Sequence, residues 1–222
     1  MSAALQLYGG ALEQRDARLP LLVRDADGAA APVGVGRWLA PADGADLRLL
    51  ARAVGPVFDV GCGPGRLLRA LAARDIAAEG IDVSPVAVAL ARRGGHAVHE
   101  GNVLGALPWE PASFATALLL DGNLGIGGDP AALLRRVASL LAPGGRVLCE
   151  LDAPGTGIHR RAVRLERGHE VSEWFAWAGV GCEALDAVAA RTGLVPRARW
   201  RDGRRWFAEL QLSAEEADTC AA

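Results

Sequence analysis

A run of three glycines between an apolar strand and a helix constrains this chain more than any other feature. Val57-Phe58-Asp59-Val60 is a short β-branched and aromatic run, and Gly61-Cys62-Gly63-Pro64-Gly65 follows at once. From Arg66 to Arg74 the apolar positions Leu67, Leu68 and Leu71 then fall at helical spacing. Glycine at such a junction permits a tight turn and lets the backbone approach a ligand closely. Strand, loop and helix in that order open a βαβ unit, whose ligands sit beyond the carboxyl ends of parallel strands. A glycine-rich turn with no ligand is the simpler reading. Against it stands Asp82, which ends the next apolar run about 20 residues on, where a carboxylate can accept both ribose hydroxyls. An adenosine-type ligand is favoured.

The alternation continues downstream. Ala77 to Asp82 reads as a second strand, and Ser84-Pro85 supplies an N-cap and a first-turn proline for a helix ended by Gly94-Gly95. Ala97 to His99 reads as a third strand, and Phe114 to Leu120 is an uncharged apolar run, as in a strand buried on both faces. Asp129-Pro130 opens a helix with the stripe Leu133, Leu134, Val137, Leu140 and Leu141, and Pro143-Gly144-Gly145 stops it. Arg146 to Leu151 follows as a fifth strand. Strands separated by helices imply right-handed crossovers and a parallel sheet. After a helix from Cys182 to Arg191, the runs Val195 to Arg201 and Arg204 to Leu212 flank the hairpin signal Asp202-Gly203. The sheet is therefore expected to close with an antiparallel pair.

Two pieces stand outside this pattern. Residues 1–54 hold a helical start, a loop and a helix from about Asp43, and are expected to form an N-terminal helical cap that selects substrate. Residues 154–178 contain Arg160 to Glu166, a turn at Arg167-Gly168, and Val171 to Trp177, which reads as an inserted hairpin or flap. The cofactor domain spans 55–212, and 213–222 form a frayed, acidic tail.

Composition removes several function classes. All 24 basic residues are Arg, so chemistry that needs a lysine amine, such as Schiff-base or P-loop chemistry, is excluded. A net charge of −2 argues against binding bulk nucleic acid. Cys62, Cys149, Cys182 and Cys220 lie far apart, without zinc-ligand spacing, so a reducing compartment is expected and a structural metal is not. No stretch approaches the length of an uncharged membrane span, so the protein is expected to be cytoplasmic.

The identity of the adenosine ligand turns on two residues. Arg66 occupies the sixth position of the glycine fingerprint, where a dinucleotide site wants Gly or Ala, and Asp59 is poorly suited to an approaching pyrophosphate. A cationic sulfonium ligand with an ammonium group tolerates carboxylates. Here Asp59-Val60-Gly61-Cys62-Gly63-Pro64-Gly65 resembles the first motif of the class I S-adenosylmethionine-dependent methyltransferases, and Ile81-Asp82-Val83-Ser84 resembles their ribose-binding strand end. Glu100-Gly101-Asn102-Val103, followed by Leu107-Pro108-Trp109, is similar to their adenine-side segment, and Leu140-Leu141-Ala142-Pro143-Gly144-Gly145 to their turn before the fifth strand. The resemblance covers about Gly55 to Leu212. It implies a Rossmann-like three-layer α/β sandwich with a seven-stranded, mostly parallel sheet and an antiparallel C-terminal strand. It also implies S-adenosylmethionine as co-substrate, held by Asp59, Gly61, Cys62, Gly63, Gly65, Asp82, Val83, Asn102, Val103 and Asp121. The family often has Asp where Asn102 stands, and Asp121-Gly122-Asn123-Leu124 lacks the Asp/Asn-Pro-Pro-aromatic signature of base-amine methylating relatives. Nucleobase amines are therefore disfavoured as acceptors.

Methyl transfer is an in-line displacement that requires alignment and exclusion of water, and a base only when the acceptor must lose a proton. Asp121 and Asn123, at a strand end facing the crevice, are the leading candidates for holding the methionine ammonium or orienting the acceptor; capping and turn roles compete. His159 and His169 in the flap are candidate bases, although surface histidines are commonly just solvated. His96 reads as structural, and His99 as at most brushing the adenine region. Asp152 with Asp121 and Asn123 makes a weak oxygen-ligand metal set. Trp38, Trp174, Phe175 and Trp177 suit either an apolar acceptor pocket or core packing, and Trp206-Phe207 suits the core. Arg160, Arg161 and Arg164 are surface charges or guides for an anionic substrate. Three activities remain open: a methyltransferase acting on a small molecule, a nicotinamide-dependent oxidoreductase with a degenerate fingerprint, and a non-catalytic cofactor-binding module.

Overall fold

The computed structural model describes residues 2–14 and 18–213, so the expected tail beyond Ser213, with Glu215, Glu216, Asp218 and Cys220, lies outside the described residues. The chain opens with α1 (Ala3–Gln14), β1 (Leu22–Asp25), β2 (Ala30–Pro32), α2 (Val35–Leu39) and α3 (Gly44–Leu50). Asp43 caps α3 reciprocally with Asp46, each side chain accepting the other's backbone N–H at 2.9 Å. The alternating region follows as β3 (Val57–Val60), α4 (Arg66–Ala72), β4 (Ala78–Asp82), α5 (Pro85–Arg93), β5 (Ala97–Glu100), β6 (Phe114–Leu119), α6 (Pro130–Ala138) and β7 (Leu141–Leu151). Ser84 and Asp129 cap α5 and α6, each with proline in the first turn. The chain ends with β8 (Ile158–Arg167), β9 (Glu170–Val171), β10 (Phe175–Val180), α7 (Leu185–Ala189), β11 (Leu194–Asp202) and β12 (Arg205–Leu212).

The main sheet runs β11-β12-β7-β6-β3-β4-β5. Five strands are parallel, and β12 lies antiparallel between β7 and β11, as expected for a Rossmann-like sheet. Pro143-Gly144-Gly145 does not precede the fifth strand. β7 begins at Leu141, paired with Phe114, and regains regular register at Arg146 opposite Thr116, so the turn is an irregularity inside the strand. The strand interiors alternate between two apolar layers. Phe58, Val60, Ala117, Leu119 and Cys149 pack with Leu133, Leu134, Val137 and Val188, whereas Val57, Leu118, Leu148 and Phe207 pack with Leu49, Leu50, Leu67 and Leu71. That double burial explains why β6 shows no polar face. Its one hydroxyl, on Thr116, donates to Val54 O and accepts from Val54 N. Trp206-Phe207 splits: Phe207 is buried and Trp206 only partly.

Five strands form a second, antiparallel sheet in the order β10-β8-β1-β2, with β9 on β8. Here the expectation of a helical N-terminal cap needs correction. Residues 22–32 supply a hairpin, and β1 pairs with β8 from Leu22↔Glu166 to Asp25↔Val163. The flap and the N-terminal piece are therefore two halves of one sheet. A strand of four residues with no apolar alternation of its own carries little signal in sequence, and its partner lies about 140 residues away.

Candidate active site

Because the chain builds outward from β3 to β5 and returns beside β3 as β6, a crevice opens at the carboxyl ends of β3 and β6. The glycine loop lies there. Gly61, Gly63 and Gly65 all take positive φ, at +68°, +55° and +88°. A Cβ on Gly61 would come within 2.6 Å of Asn123 Nδ2, so both conformation and space require glycine. Above the loop lies a cavity of about 890 Å³, lined by Asp59, Gly61, Cys62, Gly63, Asp82, Val83, Asn102, Val103, Asp121, Asn123 and His159. Gly65 is not part of the lining; it packs under His96 and Ala91 at the start of α4.

Three carboxylates meet at the floor. Asp59 is buried, and its Oδ2 has no partner among the described residues. Burial, then the nearby Asp121 and Asp82, push its carboxyl up to about 8. Asp82 accepts from Gly63 N at 2.9 Å and from Ser84 N at 2.8 Å, which ties the glycine loop to the end of β4. Burial raises its pKa, with those N–H bonds working against the rise. Burial likewise raises the Cys62 thiol, which stays protonated and lies over Gly80. Tyr8 of α1 is the element sequence reasoning missed. Its Oη sits 3.3 Å from where a Gly63 Cβ would be, its ring meets Trp38 edge-on at 5.6 Å, and burial first, then Asp82, raises its pKa.

The two leading catalytic candidates have other work. Asn123 donates to Val60 O and Gly61 O at 2.8 and 3.0 Å, fixing the glycine loop from the β6 side. Asp121, at φ +56°, lies between guanidinium groups: Arg37 Nε donates to Oδ1 at 3.0 Å, and Arg66 Nη2 to Oδ2. Arg66 also pairs with Asp46, and Arg205 binds Glu150 through two nitrogens at 2.7 Å and Asp46 at 2.8 Å. Both residues line the cavity, and both also brace it: each Asp121 oxygen accepts from a guanidinium, and the Asn123 amide nitrogen is taken up by two carbonyls. Arg66, the departure from the dinucleotide fingerprint, is a buried member of this network and joins α4 to α3 and β6. Asn102 Oδ1 accepts from Leu104 N at 2.9 Å.

The histidines separate. His159 lines the cavity, with Nε2 2.9 Å from Asp152 Oδ2 and Nδ1 buried without a partner among the described residues. Its ring edge and Asp152 lie where a Cβ on Gly179 would be, within 2.3 Å, so glycine opposite His159 admits the pair. His169 is exposed in the β8–β9 turn, His96 packs on Gly65 and Gly94, and His99 meets Trp109 edge-on at 5.6 Å; none of the three lines the cavity. Asp152 is thus drawn to His159 and Asp121 to arginines, and no group of three or more potential metal ligands occurs among the described residues. Of the flap aromatics, Phe175 and Trp177 line the cavity with Trp38, while Trp174 is exposed beneath Arg164.

A family model described as a methyltransferase domain matches residues 40–199. Among solved structures, the chain is similar to an S-adenosylmethionine-dependent methyltransferase from Bacteroides fragilis, solved in complex with S-adenosyl-L-homocysteine. The TM-score is 0.78 at 21% identity, over 96% of this chain and 95% of that one. The CcbJ methyltransferase from Streptomyces caelestis gives 0.60 at 17% identity, over 80% and 92%. A 1,6-didemethyltoxoflavin-N1-methyltransferase from Burkholderia thailandensis gives 0.59 at 20% identity, over 89% and 97%. At these identities the likeness is one of fold. No curated protein matches the sequence.

Proposed function

This chain belongs to the methyltransferase-domain family, and from that premise we propose that it transfers a methyl group from S-adenosylmethionine to a small-molecule acceptor held between the main sheet and the second sheet. The observation that carries this reading is the unpartnered, buried Asp59 Oδ2 beside the glycine loop, in a cavity large enough for two small molecules. A buried acceptor atom without a partner fits a ligand bearing a positive charge or an N–H donor. S-adenosylmethionine supplies a methyl group activated on a sulfonium. Gly61 and Gly63 would give it close backbone approach, and Asp82 keeps a second lone pair on each oxygen for ribose hydroxyls. Val83 and Leu104, apolar side chains exposed at the cavity, would cover the faces of the base. Gly101, Asn102 and Val103 would frame its edge.

The acceptor side is supplied by the second sheet, α1 and Trp38, which wall the cavity against water. His159, oriented by Asp152, takes the proton from an acceptor that must lose one, through the nitrogen not bonded to Asp152. Asp121 and Asn123 act by holding the floor rigid. Calorimetry on the full chain should show binding of S-adenosylmethionine, weakened at least tenfold in Asp82→Ala with an unchanged circular dichroism spectrum. Absence of binding to the wild type would overturn the cofactor assignment, and unchanged affinity in the variant the ribose contact. Release of S-adenosylhomocysteine should require the low-molecular-weight fraction of a metabolite extract; release with the macromolecular fraction alone would refute a small acceptor.

A further inference from the structure

The acceptor half of the cavity has a chemistry of its own. Along β8 the residues that line the cavity are His159, Arg161, Val163 and Leu165, every second position, as one face of a strand requires. Arg160 and Arg164 point to the opposite face, where Arg160 approaches Asp129 and Arg164 pairs with Glu166 and covers Trp174. Arg161 alone of the three faces inward. Its cross-strand neighbour on β10 is Trp177, and Phe175 lies one inward position further along, opposite Val163, with the two rings 6.3 Å apart.

The charged groups lining this cavity differ in what they leave unfilled. Asp82 accepts two backbone N–H bonds, and Asp121 and Arg66 bind each other. The Glu173 carboxylate is engaged by Ser2 and the first backbone N–H groups of α1. Asp25 is buried; its Oδ1 accepts from Ala29 N at 2.8 Å and its Oδ2 from Arg161 Nη1 at 3.1 Å. Arg161 makes only that bond among the described residues, and its side chain is about half exposed, at 46%. Asp25 thus holds the guanidinium through one nitrogen, and the remaining donors of this cavity-lining side chain have no partner among the described residues. A guanidinium held by one bond, with its other donors unfilled and Trp177 as its cross-strand neighbour, matches a planar anion that accepts two parallel N–H bonds. His159 lies two residues away on the same face, roughly 6.5 Å along the strand.

We propose that the acceptor subsite binds a planar aromatic carboxylate, its anionic group on Arg161, its ring against Trp177 and Phe175, and its nucleophilic atom toward His159. This rests on the methyltransferase reading, and the test keeps the two apart. The full chain is first loaded with S-adenosylhomocysteine, whose binding reports on the cofactor site alone. The loaded protein is then titrated calorimetrically with 2-naphthoate and with its neutral isostere 2-naphthamide. The carboxylate should bind at least tenfold tighter than the amide. Arg161→Gln should remove that preference while leaving S-adenosylhomocysteine affinity unchanged, and Asp25→Asn should reduce it. Carboxylates that face the pair from neighbouring elements are Asp25 on β1 and Asp152 after β7. Equal affinity for the two probes, failure of either to bind at millimolar concentration, or a preference that survives Arg161→Gln would overturn the proposal. The wild-type comparison stands even if a variant fails to fold. Loss of S-adenosylhomocysteine binding in the wild type would instead strike at the methyltransferase reading.

Discussion

Asp59 carries the sharpest consequence at the scale of single residues. Its carboxyl is pushed up to about 8 by burial and by two neighbouring carboxylates, so it is largely neutral at pH 7 in the free protein. A group whose folded pKa is raised contributes stability that is full below its unfolded pKa, near 4, and is lost as pH rises through the folded value. The free chain should therefore lose stability between about pH 4 and pH 8, and Asp59→Asn should flatten that slope in urea melts. The same ionisation should appear on binding. A cationic ligand beside Asp59 favours the carboxylate, so S-adenosylmethionine should release up to about one proton at pH 7. Calorimetry in buffers of different ionisation enthalpy reads that release, and a buffer-independent heat would contradict the contact. Asp59 was legible in sequence as a residue unsuited to a pyrophosphate. Its missing partner was not, because an unpaired oxygen is a property of everything that fails to surround it.

Elements tell a different story. The cores of β3, β4, β6 and α4 to α6 follow from local signals: β-branched and apolar runs, Ser84 and Asp129 caps with first-turn prolines, and glycines where φ is positive. The hairpin at 154–178 was legible, but its union with β1 escaped, because β1 is only four residues long and meets β8 across the chain. Val23 and Leu165 are partners whose relation no window of sequence contains. This pairing changes what removal of the flap does. Deleting residues 154–178 would leave β1 paired with β2 alone and uncover Leu21 and Val23, both on the cavity side. The shortened chain should lose compactness in its N-terminal third as well as acceptor use, with faster proteolysis between residues 2 and 34. Proteolysis at the wild-type rate would show that the two segments fold independently.

Across the whole molecule, one charge network binds the parts together. Asp46 on α3 is fully buried and receives Arg37, Arg66 and Arg205 from α2, α4 and β12, while Asp121 and Glu150 bring in the ends of β6 and β7. Removing one partner strands buried charge, which costs about 3–5 kcal/mol. Asp46→Ala should lower unfolding stability by about that amount and weaken S-adenosylmethionine binding through the displaced Asp121. A loss below about 1 kcal/mol would show the network to be dispensable. The absence of lysine acquires a structural counterpart here, since each of these arginines divides its planar fork among two or three carboxylates, which a single ammonium point matches less well. By itself the sequence determined the strand-helix alternation of the parallel sheet, the glycine loop, the carboxylate at the end of β4 and the closing hairpin, because each is announced by local periodicity, caps and turn residues or by backbone conformations only glycine tolerates. Tertiary structure alone decided that Asp121 and Asn123 brace the floor, that Tyr8 covers the loop and that Arg161 faces inward. These roles depend on which groups from distant segments fill a side chain's hydrogen bonds, and that accounting closes only when the chain is folded.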